Sequence, residues 1–188
     1  MATAPPQIDE TFRSVARQVS IAERLGVSLI RLFFGRLPFE AYTADARDRA
    51  ARNLQDLSAR HPEIFFVLEN HDGASRRPEV CREILDRTDR PNVRMNFDPI
   101  NFDRIGVKSV DAVRTLAPVI GHLHLKGLEN GEFCEFGVGD VDLTPVFEVL
   151  VDHAFAGSFS VEYEGHFDKT VRLYESMKRA RAAIDRFF

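Results

Sequence analysis

Four residues spread along this 188-residue chain, Glu69, Asp98, His124 and Glu162, have side chains that together could hold a divalent cation. Three carboxylates and one imidazole supply oxygen and nitrogen donors suited to Mn²⁺, Mg²⁺, Co²⁺ or Zn²⁺, with no thiolate to favour a softer metal. Carboxylates crowded into one crevice repel each other and lose hydration, so without a cation the arrangement would be electrostatically costly. Taken singly, each residue would suit a helix cap or a surface ion pair just as well. The case for a site depends on whether the chain places them together.

The elements that would do so can be read from periodicity. Residues 93–98 alternate Val93, Met95 and Phe97 with Arg94, Asn96 and Asp98. Residues 119–125 carry Val119, Gly121, Leu123 and Leu125 on one side, and Ile120, His122, His124 and then Lys126 on the other. In the strand predicted over 159–163, Phe159, Val161 and Tyr163 alternate with Ser158, Ser160, Glu162 and Glu164. The strand 64–69 is apolar until Glu69, which shares a side with His71. A period of two puts each set on one face. A fifth strand is predicted over 27–34, and helices over 9–25, 44–59, 78–86, 110–116, 144–153 and 168–188 lie between and around the strands. Strands separated by helices indicate one parallel α/β sheet with right-handed crossovers. The polar row could be the solvent face of a two-layer sheet. However, the helices are regularly interposed and the titratable residues crowd at the carboxyl ends of four successive strands, where parallel α/β folds build their sites. The polar face therefore reads as the interior and mouth of a barrel.

Composition narrows the partners. The chain is 44% hydrophobic and 29% charged, which suits a single globular domain over residues 1–188 and excludes a disordered or fibrous protein. A net charge of −4 and a pI near 5.9 leave no basic footprint for nucleic acid. No apolar run approaches a membrane span. The first six residues lack the charged and apolar regions of a signal peptide, so the expected compartment is the cytoplasm. Cys81 and Cys134 form no CxxC and read as small packed hydrophobes.

The stretches Leu68-Glu-Asn-His71, Asn96-Phe-Asp-Pro-Ile-Asn101, Gly121-His-Leu-His-Leu-Lys126 and Val161-Glu-Tyr-Glu164 resemble, in order and spacing, the sugar phosphate isomerase/epimerase family of xylose isomerase-like TIM barrels. The stretch Gly26 to Gly35 is similar to that family's fourth strand, and Gly137-Val-Gly-Asp-Val-Asp142 to the loop after its seventh. The resemblance implies that Glu69, Asp98, His124 and Glu162 are the metal ligands, with His122 hydrogen-bonded rather than coordinating. It also implies that Glu69 and Glu162 are the acid/base pair. One carboxylate would take a proton beside a sugar carbonyl, an enediolate would form, and the other carboxylate would return the proton. His71, Asn101 and Lys126 are then placed to contact substrate oxygens. Asn101 stands where epimerases and the related apurinic endonucleases commonly carry His, and the loop from Gly127 to Gly137 lacks the endonucleases' Asp-x-His pair. DNA repair is accordingly a poor reading.

The resemblance also makes length informative, because a full (β/α)₈ barrel takes about 200 residues or more. The expected fold is an incomplete barrel of about five parallel strands with helices, corresponding to strands 4–8. Unpaired strands at both ends of such a sheet call for cover by a second copy, a partner chain or a terminal helix, unless the chain is a fragment of a longer product. The expected activity is that of a metal-dependent sugar or polyol isomerase or epimerase. The alternatives are a non-catalytic metal- or sugar-binding module and a dehydratase or lyase acting on a sugar or inosose.

Overall fold

The computed structural model describes residues 5–35 and 37–188. Helix α1, Pro5–Leu25, buries Val15, Val19 and Ala22 and ends at Gly26, whose φ of 67° turns the chain back toward strand β1, Leu29–Phe33. Helix α2, Ala44–Arg60, is capped by Thr43, whose hydroxyl accepts the Ala46 N–H at 3.3 Å. The buried stripe of α2, which includes Ala46, Ala50, Ala51, Leu54 and Leu57, begins with small residues and finishes with large ones. Strand β2, Phe65–Glu69, is followed by α3, Pro78–Thr88, which starts with proline at its first turn and stops at Asp89 in the left-handed region, φ 45°. Then come β3, Val93–Phe97; α4, Pro99–Asp103; α5, Ser109–Leu116; and β4, Ile120–Leu125. A hairpin follows, with β5, Gly127–Glu129, and β6, Glu132–Cys134. The chain finishes with α6, Thr144–Asp152, then β7, Ser158–Val161, and α7, Lys169–Phe187.

Five strands form one parallel sheet in the order β1-β2-β3-β4-β7, and β5 and β6 pair antiparallel on their own. This is the architecture expected from the alternating strands and helices, an incomplete β/α barrel. Each predicted strand and helix is present, with ends shifted by a few residues. The short helix α4, the β5–β6 hairpin and the single 3-10 turns Phe39–Ala41, Gly73–Arg76 and Ala117–Val119 were not foreseen.

The chain divides into two compact units, residues 1–96 and 97–188. In the first, Leu54, Leu57, Phe66, Leu68, Ile84 and Met95 are fully buried. Asn92, also buried, ties its elements together, donating to the carbonyls of His61 and Ile64 and accepting from the Ser58 hydroxyl. In the second unit, Phe97, Ile100, Phe102, Val113, Leu116, Leu123 and Leu150 form the core. No helix among the described residues is long and apolar enough to cross a membrane.

Both cysteines are free thiols. Burial, with the Glu79 carboxylate nearby, pushes the Cys81 thiol well above its usual range, and its sulfur lies 3.3 Å from the Ser75 carbonyl. Cys134 is less buried, but burial and the carboxylates of Glu129, Glu135 and Asp140 raise it too. The folded protein is therefore expected to react with a chromogenic disulfide reagent at one thiol at most, slowly and at Cys134. Urea should expose the second, and rapid native labelling of Cys81 would contradict its packing.

Candidate metal centre

In the second unit, the site is assembled at the carboxyl ends of β3, β4 and β7. Asp98 follows β3 directly and is fully buried; its Oδ1 accepts the Asn101 N–H at 3.0 Å and so caps α4. Pro99 at the first turn of α4 fits this arrangement, because a proline there gives up no hydrogen bond the helix could make. His124 lies on the inward row of β4, with Nδ1 3.4 Å from Glu162 Oε2 and 3.8 Å from Asp98 Oδ2. Glu162 follows β7, held beside β4 by its own N–H, which donates to the Leu125 carbonyl at 3.0 Å. The hydrogen bond with His124, reinforced by the charge of Lys126, outweighs burial and lowers the Glu162 carboxyl to about 2.

Lys126, next in the inward row after His124, is only 1% exposed. Its ammonium reaches Asp98 Oδ2 at 2.9 Å, Glu162 Oε2 at 3.2 Å and Glu164 Oε2 at 2.5 Å. Burial alone would favour the neutral amine, but the three carboxylates reverse that and raise the Lys126 pKa above its usual value. The sequence reading gives Lys126 a task at substrate oxygens; in the structure its ammonium contacts these carboxylates. Glu164, which the pattern showed only as one more polar residue of its row, is a partner that sequence reasoning missed. His122 is occupied on both ring nitrogens, with Nδ1 2.7 Å from the Ser158 hydroxyl and Nε2 2.9 Å from that of Ser160. It is hydrogen-bonded, as the resemblance implied.

In the first unit, Glu69 ends β2 and is 1% exposed. It pairs in register with Asn96, two residues before Asp98. The Arg31 guanidinium, from β1, donates to its Oε2 at 2.9 Å. This cation was not foreseen, because nothing local in the sequence ties residue 31 to residue 69. His71 is half exposed, its ring edge-on to Phe33 and its Nδ1 3.1 Å from an Asp72 oxygen. Asn101 sits in the first turn of α4, where its backbone N–H is used by the cap.

Asp98, His124 and Glu162 of the second unit each offer one ligand atom, and these atoms lie within 4.8 Å of one another. Oxygen and nitrogen donors this close, two of the three being carboxylates, fit a divalent cation by charge and type.

Comparison with known proteins identifies the fold and the family. The chain is 23% identical over 159 residues to a 3-dehydroshikimate dehydratase of Bacillus anthracis, an alignment covering 77% of this chain and 56% of that protein. The chain thus spans little more than half the length of that relative. Among solved structures it resembles the IolI protein with a bound zinc atom at a TM-score of 0.84 and 18% identity, covering 99% of this chain and 73% of the other. It also resembles a D-tagatose 3-epimerase-like protein, at a TM-score of 0.79 and 18% identity, over 98% and 72% of the two chains. These likenesses are of fold. The family described as xylose isomerase-like TIM barrel matches residues 1–187. With five parallel strands, interposed helices and this match over almost its whole length, the chain belongs to the xylose isomerase-like TIM barrel family.

Proposed function

We propose that this chain acts on a small sugar or polyol, or its phosphate, as a metal-dependent isomerase or epimerase, moving a proton beside a carbonyl through an enediolate. The observation that carries the reading is the grouping of Asp98, His124 and Glu162 within 4.8 Å. These three, with Glu69 proposed as the fourth ligand, would hold the ion. A divalent cation bound there supplies a Lewis acid for the substrate's oxygens. Glu69 and Glu162 enter from different strands, so the two carboxylates can serve as acceptor and donor of the proton. Glu69 is almost fully buried and Glu162 partly exposed, so a proton taken by Glu162 can exchange with solvent before it is returned. His71, half exposed beyond β2, and Asn101, at the start of α4, are proposed to bind substrate hydroxyls.

A dehydratase is the second reading, favoured by the relationship to the Bacillus anthracis dehydratase. The first step is shared. The enediolate then expels a β-hydroxyl instead of regaining a proton.

The test is calorimetric titration with Mn²⁺, followed by solvent-deuterium exchange into a panel of ketoses and inososes. Saturable binding of one ion is expected, weakened by His124→Ala by about tenfold or more, a range typical of perturbed metal sites. Deuterium in recovered ketose supports the isomerase, whereas loss of water from the substrate supports the dehydratase. Binding without either reaction would leave a metal- or sugar-binding module, and affinity unchanged in His124→Ala would refute the site.

A further inference from the structure

We propose that Lys126 is a resident counter-cation of this centre, holding Asp98 and Glu162 together when no metal ion is bound and yielding them by withdrawing onto Glu164. The inference rests on the reading of Asp98 and Glu162 as ligands. It adds a residue that governs how readily they accept an ion.

The geometry is that of a filled cation position. Lys126 is almost fully buried, and its ammonium lies close to an oxygen of each of three carboxylates: Asp98 at 2.9 Å, Glu162 at 3.2 Å and Glu164 at 2.5 Å. The Phe133 ring of β6 closes the remaining side, 4.3 Å from Nζ to the ring centroid. Two of the carboxylates belong to the proposed ligand set and the third does not. A buried ammonium with this many acceptors meets the same electrostatic need that a divalent ion would meet, and the two cannot share Asp98 and Glu162 without repelling each other.

The structure also provides a way out. Glu164 has the shortest contact with Nζ and the most exposed of the three carboxylates, at 37%. A lysine carries its charge on a flexible four-carbon stem, so a small swing keeps the Glu164 pair while releasing the other two.

Three proteins decide the matter: wild type, Lys126→Met and Glu164→Gln, each titrated with Mn²⁺ by calorimetry and melted with and without saturating Mn²⁺. Lys126→Met is expected to bind Mn²⁺ about tenfold more tightly or better, because a like charge has been removed. It should melt below wild type when metal-free, and the deficit should close at saturation. Glu164→Gln should bind Mn²⁺ several-fold more weakly, because the displaced ammonium has lost its acceptor. Equal or weaker binding by Lys126→Met would overturn the proposal. So would a melting deficit that persists at saturation, which marks a lysine of purely structural role. If Lys126→Met fails to fold, Glu164→Gln carries the test, and unchanged affinity there overturns the proposal. Wild type that binds no Mn²⁺ removes the ligand reading itself. Wild type that binds, with variants that do not differ, removes only the role of Lys126.

Discussion

Replacing Glu162 by Gln is expected to reduce solvent-deuterium exchange into a responsive ketose by about 10²- to 10⁴-fold, the range for removing a positioned acid/base group. Glutamine keeps the volume and one acceptor oxygen but cannot take a proton, and it removes a charge from beside His124 and Lys126. Mn²⁺ affinity should fall in the same variant, since a carboxylate donor is lost. The metal-free protein offers an independent check. The Glu162 carboxyl is lowered from 4.5 to about 2, chiefly by the hydrogen bond with His124. A group depressed on folding stabilises the folded state above its unfolded value, and that contribution is lost as pH falls through the folded one. Wild-type melting temperature should therefore decline between about pH 4.5 and 2 more steeply than that of Glu162→Gln. Exchange and affinity both equal to wild type would remove Glu162 from the centre.

Asp98→Ala should give the largest loss of stability at the site. Asp98 is fully buried, caps α4 through the Asn101 N–H and neutralises the buried Lys126 ammonium at 2.9 Å. Removing one partner of a buried ion pair costs about 3–5 kcal/mol, and losing a cap about 1 kcal/mol more. For a chain of this length each kcal/mol lowers the melting temperature by about 2–4 °C, so a fall of about 10 °C or more is expected. Asp98→Asn separates the contributions. Its side-chain oxygen can still cap α4 while the charge is gone, so it should melt between Asp98→Ala and wild type yet bind Mn²⁺ as poorly as the alanine variant. Thermal melts alongside calorimetry decide this, and an Asp98→Ala protein as stable as wild type would contradict the buried pair.

Most of the sheet could be read from the sequence because its signals are local. Strands such as 93–98 and 119–125 show period-two rows of three or four residues, and the helices carry apolar stripes several turns long. What escaped was short or distant. Helix α4 has five residues, too few for a periodic stripe, and only the Asp98-Pro99 start marks it. Strands β5 and β6 have three residues each. Their connection, Asn130-Gly131, with φ of 52° and 81°, carries the usual signal of a tight hairpin and could have been recognised. At the site, the four donors stood out because each lies at or just beyond the carboxyl-terminal part of a strand. The cations did not: Arg31 meets Glu69 from 38 residues away, and Lys126 meets Glu162 from 36. Such pairings depend on strand order, which periodicity leaves open.

His122, its ring edge-on to that of His124, bears on whether two of the donors can share one ion. Its ring joins Ser158 and Ser160, two successive inward positions on the neighbouring strand, so it works like a gauge block set between β4 and β7. Sliding β7 by one inward position would carry Glu162 about 7 Å along the strand. That distance exceeds the 4.8 Å spread of the whole donor group, and the slide would also break the existing contacts of the His122 ring. The tolerance of the centre is in this sense machined upstream of it, by an imidazole and two hydroxyls that keep His124 and Glu162 in step.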